Sequence, residues 1–340
     1  MRNVLVTGGC GFIGHHVIYD ILKRTDWNIV CLDRLDFSGN QNRLVDILKD
    51  FDDETKKRVK VVFHDLRAEI NTLVQKEIGY IDTIVHIAAG SHVDRSIENP
   101  MEFVLDNVVG TCNILNYGRS LPNLERFIYF STDEVFGPAA SGIQHTEHDR
   151  YNSSNPYAAT KAGGEELCVS FQNTYGMPIQ ITHTMNVFGE RQHPEKYIPK
   201  CINKINNGEV LTIHSDSTKT VAGSRYYIHA SDVADAVLFL LNRPYGPAFT
   251  GDVTIKCPKF NIVGKHEIDN LTLAKLIAEI QGKELKYEMV DFHTSRPGHD
   301  LRYGLSGELM KSLGWEPKID LWNRIHQVNE WYLNNRKWML

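Results

Sequence analysis

The chain has no run of about 18 uninterrupted apolar residues, no C-x-x-C pair, no H-E-x-x-H motif, no internal repeat and no excess of basic residues. Each absence removes a class of function. Without the apolar run no membrane-spanning helix is expected. The six cysteines (Cys10, Cys31, Cys112, Cys168, Cys201, Cys257) are scattered and several lie in apolar segments, which reads as reduced core thiols and neither a disulfide frame nor a zinc site. His15 and His16 carry no ligand pattern, so no metal is expected. A formal net charge of -5 and a pI near 6.3 argue against nucleic acid or an anionic membrane as the main partner, since either needs a basic face. Met1 to Thr7 leads straight into glycines without an apolar leader, so the expectation is a cytoplasmic, soluble chain.

At 340 residues the chain exceeds the usual single-domain size, and two units are expected. Short apolar runs alternate with longer mixed segments, the rhythm of a parallel sheet with crossover helices. The runs are Val4–Val6, Asn28–Leu32, Val59–Phe63, Thr83–Ile87 and Phe127–Phe130, with Ile179–Thr182 as a sixth. They predict an α/β fold, a Rossmann-type doubly wound parallel sheet over residues 1–185 that also takes in parts of 210–245. After Asn186 the pattern loosens into short strands near Val210–Ile213, Arg225–Ile228 and Phe260–Ile262 and helices over Ser231–Leu241 and Thr272–Gln281. Residues 186–340 are read as a smaller mixed α/β lobe for the substrate.

The first run ends in Thr7-Gly8-Gly9-Cys10-Gly11-Phe12-Ile13-Gly14, a glycine-rich turn before a helix starting near Phe12. Such a turn lets a pyrophosphate approach backbone N–H groups at a helix N-terminus, where the dipole favours negative charge. Asp33 closes the second strand 19 residues after Gly14. A carboxylate there holds the adenosine ribose hydroxyls and repels a 2′-phosphate, favouring NAD over NADP; Arg34 is the counter-signal. The candidate cofactor residues are Gly8, Gly11, Phe12, Ile13, Gly14 and Asp33, with Asp65 and Leu66 near the adenine and Ala88 after the fourth strand.

The chemistry concentrates in two segments. Phe130-Ser131-Thr132-Asp133-Glu134 puts a hydroxyl and two adjacent carboxylates where a buried strand becomes a loop. Neighbouring carboxylates do not both ionise easily, so one can keep its proton near neutral pH, and spacing alone does not say which. Tyr157-Ala158-Ala159-Thr160-Lys161 then places a phenol and an amine one helical turn apart, after Asn155-Pro156, which suits a helix start. Tyr-x-x-x-Lys alone is weak, and Tyr19/Lys23 is a second example read as structural. In the Tyr157 pair, Lys161 is expected to lower the phenol's pKa and hold a ribose hydroxyl, which makes both residues cofactor contacts as well.

Taken together, Thr7–Gly14, Asp33 with Phe37–Asn40, His86–Ser96, Ser131–Gly137, Asn155–Lys161, Pro194–Pro199 and Arg296–Tyr303 resemble the extended short-chain dehydrogenases/reductases. Within them they are most similar to the nucleotide-sugar 4,6-dehydratases, and among these to those acting on dTDP-glucose. The resemblance implies oxidation of the sugar at C4 by NAD⁺, loss of water across C5–C6 and hydride return to C6. It assigns Tyr157 as base for the 4-hydroxyl, Glu134 as base at C5, Asp133 as acid for the departing 6-hydroxyl and Thr132 as a hydrogen-bond partner near O4. Substrate contacts implied are Ser91, Asn186, Glu195, Lys196, Arg225, Asn261, Arg296 and His299. A homodimer through a four-helix bundle, built from helices near Pro100–Ser120 and Pro156–Tyr175, is also implied.

The sequence departs from the family pattern at Phe136 (usually Tyr), His183 (often Arg), Glu190 (Pro) and the long Ser215–Ser224 loop before Arg225, which bears on the nucleotide preferred. The alternatives left open are the same reaction on UDP-glucose or another nucleotide hexose, a C4 epimerase or decarboxylase of the same fold, and a non-catalytic NAD-sensing protein.

Overall fold

The structure, a computed structural model, describes residues 2–245, 257–292 and 301–339. Six strands appear in the expected places: β1 (Asn3–Thr7), β2 (Asn28–Asp33), β3 (Val59–Phe63), β4 (Thr83–His86), β5 (Arg126–Thr132) and β6 (Ile179–Thr184). Val4, Leu5, Ile84, Val85, Phe127 and Ile128 are fully buried, as strands covered on both faces require. All pairings in this sheet are parallel.

The sheet has seven strands, not six. Lys259–Ile262, expected in the substrate lobe, pairs alongside β6, giving the order (259–262)-β6-β5-β4-β1-β2-β3. Its Phe260 and Ile262 are fully buried in the core beneath the sheet, together with the helix Ala230–Leu241 and with Met310 and Trp315. Helix α1 (Phe12–Arg24) packs in that same layer. The opposite face is covered by residues 110–120 and by the helix Pro156–Tyr175. A separate core joins the helices Tyr197–Asn207, Asn270–Gln281 and Leu321–Asn334 to a parallel strand pair, Leu211–Ser215 with Tyr287–Asp291.

Two features of this topology make a crevice. Strand order reverses between β1 and β4, so the connections leaving them diverge, and ligands bind at such a switch point. In addition, β4 ends with His86 opposite Tyr129, whereas β5 continues to Thr132 alongside β6. Phe130, Ser131 and Thr132 therefore run past β4 and line the opening.

All six cysteines are free, with Cys10 and Cys31 3.8 Å apart at Sγ. Among the described residues no helix is long and apolar enough to cross a membrane, and no cluster of three His, Cys, Asp or Glu is placed to hold a metal.

Candidate active site

The crevice is a cavity of about 370 Å³. One wall is the glycine turn. Gly8 has φ +69, and a Cβ there would lie 2.8 Å from the backbone of Ala88, so the turn and the end of β4 touch backbone to backbone. Gly8, Gly11, Phe12, Ile13 and Ala88 line the cavity. Gly14 does not; a Cβ on it would fall 2.1 Å from the Gly8 carbonyl, so its role is to let α1 close on the turn.

Asp33, only 8% exposed, accepts hydrogen bonds from the backbone N–H groups of Cys10 and Leu35, both at 2.9 Å. Burial holds its carboxyl above the ordinary value, against those two bonds. Arg34 is enclosed by carboxylates, with Asp106 at 2.6 Å, Asp65 at 3.4 Å and Asp36 also bound. Burial acts against its charge, but the bonds to Asp106 and Asp36 outweigh that and raise its pKa. An arginine already shared by three carboxylates is a poor host for a further phosphate. Asp65 and Leu66 line the same end.

Thr132, Asp133, Glu134, Tyr157 and Lys161 all reach the cavity. The link between the two segments is Asn155. Its Oδ1 accepts from Ala158 N at 2.8 Å, capping the helix that starts at Pro156, and its Nδ2 donates to Glu134 at 2.9 Å. Thr132 Oγ1 donates to Asp133 Oδ1 at 3.0 Å, while among the described residues Asp133 Oδ2 is buried without a partner. Burial, and then the Glu134 carboxylate, lift the Asp133 carboxyl to about 7.

Tyr157 departs from the sequence expectation. Burial and then Glu134 push its phenol above the ordinary value, against a hydrogen bond with Thr132. Lys161 lies over the Tyr129 ring at 4.3 Å, and the opposite charge acting on it is Glu165. Burial lowers the amine to about 8, with Glu165 pulling the other way.

Behind this centre is a buried ionic network that the sequence reading missed. Glu165, fully buried, accepts hydrogen bonds from Ser131 and Tyr151 and pairs with His183 at 3.2 Å and Lys259 at 3.4 Å. Burial alone would raise its carboxyl; His183, Lys259 and Ser131 outweigh it and bring it to about 2. Phe136 packs on the His183 ring at 4.8 Å, so two of the departures noted in sequence meet in space.

On the substrate side Ser91, Asn186 and Lys196 line the cavity, but other expected contacts do not. Asn261 is fully buried in the seventh strand, its side chain spent on His183, the His145 carbonyl and the Ser306 carbonyl, because that strand belongs to the sheet. Glu195 points outward, 3.7 Å from His92 and 3.8 Å from His193. Arg225 donates to the carbonyls of Ser224 and Leu301 and stacks on Tyr303, yet its charge still reaches Asp133. Arg296 and His299 lie outside the described residues. Lining residues given no role from the sequence include Ser38, Gly39, Arg43, Gln192 and His193, although Ser38 and Gly39 belong to the Phe37–Asn40 segment that carries the resemblance and Arg43 follows close behind it.

A tyrosine and lysine one helical turn apart, opposite a glycine turn at the switch point of a parallel sheet, is the arrangement of a short-chain dehydrogenase/reductase. Comparison with known proteins narrows that class. The family model described as GDP-mannose 4,6 dehydratase matches residues 5–328. The low-salt glycan biosynthesis protein Agl12 of Haloferax volcanii is 36% identical, over 98% of this chain and 99% of its own. The dTDP-glucose 4,6-dehydratase 1 of Escherichia coli K12 is 34% identical, over 99% of this chain and 94% of its own. A crystal structure of the dTDP-glucose 4,6-dehydratase DesIV from Streptomyces venezuelae, with NAD bound, superposes with a TM-score of 0.86 at 31% identity, covering 99% of this chain and 98% of that one. The chain belongs to the nucleotide-sugar 4,6-dehydratase family of the extended short-chain dehydrogenases/reductases.

Proposed function

We propose that the protein, with NAD as cofactor, converts a nucleotide-activated glucose, dTDP-glucose foremost, into its 4-keto-6-deoxy derivative, and that it works as a cytoplasmic homodimer. The residues suit the cofactor. Gly8 and Gly11 let the turn close against Ala88 and against its own carbonyl while lining the cavity, Asp33 is fixed for ribose hydroxyls, and Arg34 is neutralised by acids. Tyr157 and Lys161 would hold the nicotinamide ribose, and Asp65, Leu66 and Ala88 the remainder. When bound, NAD⁺ supplies the acceptor for the C4 hydride, the donor for its return to C6, and a positive ring that favours the Tyr157 phenolate.

The chain's own groups do the rest. Tyr157 takes the proton of the 4-hydroxyl while Thr132 hydrogen-bonds near O4. The 4-ketone acidifies the C5 proton, which Glu134 removes. Asp133 gives its proton to the 6-hydroxyl, and water departs across C5–C6. The proton on Glu134 is then available to C5, so the product differs from the substrate by one water; the proton gained by Tyr157 balances the one given by Asp133, and exchange with solvent resets both groups.

The observation that carries this reading is Asp133, a buried acid raised to about 7, with Oδ2 unpartnered among the described residues in a group that lines the cavity. Such a group still carries its proton in about half of the molecules at neutral pH and can deliver it. A C4 epimerase or a decarboxylase expels no hydroxyl from C6, and a binding-only protein needs none of these groups. Incubation with dTDP-, UDP-, CDP- and GDP-glucose, and with the matching glucuronates, followed by product mass, tests it. Loss of one water from dTDP-glucose supports the reading, while an isomer of unchanged mass, loss of carbon dioxide or complete inertness overturns it. Dehydration of UDP-glucose in preference would keep the chemistry and move the nucleotide.

The homodimer rests on the outward face of residues 97–105, where Ile97, Met101, Val104 and Leu105 are exposed beside the Pro156–Tyr175 helix. A second copy would cover that face as a four-helix bundle. Sedimentation should give twice the 38.8 kDa chain mass, and a stable monomer would rule it out.

A further inference from the structure

Arg43, the second residue of α2 (Asn42–Leu48), is 4% exposed and lines the cavity. Its Nε donates to the Arg191 carbonyl at 2.9 Å, and its Nη1 donates to the carbonyls of Cys10 at 3.0 Å and Ser38 at 2.6 Å. All three partners are neutral. Among the described residues no carboxylate pairs with this guanidinium and Nη2 has no partner. The nearby acid Asp33 is already held by two backbone N–H groups. Guanidinium keeps its charge in proteins, and a buried charge is costly unless an anion accompanies it. A buried cation that faces a cavity, gripping the carbonyl of a glycine turn, is a site for an anionic ligand group.

The same residue reaches the other wall. Arg191 has φ +65, a conformation that costs a side-chain-bearing residue on the order of 1 kcal/mol or more and persists only where neighbours enforce it. Helix α2 enforces it from two positions: Arg43 holds the Arg191 carbonyl and Asp46 holds the Arg191 side chain at 2.8 Å. The preceding Glu190 is pinned to His229 at 3.2 Å, and its carbonyl to His16 of α1 at 3.3 Å. The segment then continues into Gln192, His193 and Lys196, all on the cavity.

We propose that Arg43 is a phosphate-binding residue of the dinucleotide site, its free Nη2 serving the cofactor pyrophosphate beside the glycine turn, and that through Arg191 it couples cofactor binding to the wall carrying Lys196. This rests on the functional reading above. Two replacements, one without and one with an amine, test it in the full-length protein: Arg43→Met keeps the stem and removes the charge, and Arg43→Lys keeps a charge without the fork. Calorimetric titration with NAD, ADP-ribose and adenosine is the readout. Arg43→Met should weaken NAD and ADP-ribose by about ten- to a hundredfold, the range for a hydrogen bond to a charged group, with partial recovery in Arg43→Lys. Adenosine, which has no phosphate, should bind as in the wild type, and KM for the nucleotide sugar should rise more than kcat falls. Equal losses for adenosine and ADP-ribose, or no loss for either, would overturn the proposal, since a purely structural arginine predicts those results. If Arg43→Met gives no folded protein, Arg43→Lys decides by the same comparison. A wild-type protein that binds no NAD would instead remove the functional reading, and this proposal with it.

Discussion

Asp133→Asn replaces an acid whose charge the fold resists with a neutral group of the same shape. Burial, then Glu134, lift the Asp133 carboxyl from 3.8 to about 7, whereas in the unfolded chain it sits at its ordinary value. Below about pH 4 both states hold the proton; between about pH 4 and 7 the unfolded chain ionises and the folded one does not. The stability this group contributes is thus fully present below about pH 4 and is lost as pH rises to about 7. Three pH units at about 1.4 kcal/mol each amount to about 4 kcal/mol, of which roughly 3 kcal/mol falls between pH 5 and 8. Asparagine cannot ionise, so over that interval the variant should gain about that much relative to the wild type. Denaturant unfolding of both proteins at pH 5 and pH 8 measures it. The variant should also lose about 10²- to 10⁴-fold in kcat while still binding NAD, as removal of a general acid predicts, and wild-type activity should decline above about pH 7 as Asp133 loses its proton. Stabilities that track each other across pH would show that Asp133 ionises normally in the folded protein, and its assignment as the acid would fall with that result.

Two further substitutions address the neighbours. Glu134→Gln should abolish exchange of the C5 proton with solvent deuterium while NAD remains bound; undiminished exchange, read by mass, would remove Glu134 as the base. Glu165→Gln should destabilise the protein by about 3–5 kcal/mol in urea unfolding, because Lys259 and His183 would be left buried without their carboxylate. With its carboxyl brought from 4.5 to about 2, Glu165 contributes stability that is present above about pH 4.5 and is lost as pH falls towards 2. The deficit of Glu165→Gln should therefore shrink at low pH, and a deficit that is constant from pH 6 to pH 3 would refute the ion-pair account.

What could be read from sequence was what local spacing encodes. The glycine turn, Asp33 at a strand end, and Thr132 to Glu134 ahead of Tyr157 each announce themselves within a few residues, and strand order alone puts them at one crevice. Asn261 could not be placed this way, since its position follows from a pairing with β6 far back in the chain, which turns the side chain into the sheet. The raised Tyr157 phenol is hidden for a related reason: an i,i+4 spacing gives a shared face, but burial and Glu134 dominate at the phenol while the Lys161 amine lies over the Tyr129 ring with Glu165 acting on it. Arg34 is a counter-signal to NAD in the sequence, and the carboxylate that pairs with it, Asp106, comes from a distant helix. Pairings of that kind between remote segments leave no periodic trace.

The seventh strand carries a consequence for synthesis. As the chain leaves the ribosome, β6 is made well before residues 259–262, and until they arrive its outer edge is a row of unpaired backbone groups open to pairing with another chain. Lys259 comes with that strand, so Glu165, already fixed in the helix beside Tyr157, waits for its cation over the same interval. The edge of the sheet and the ionic support behind Tyr157 are completed by one late event, so a nascent chain halted before Lys259 would lack both.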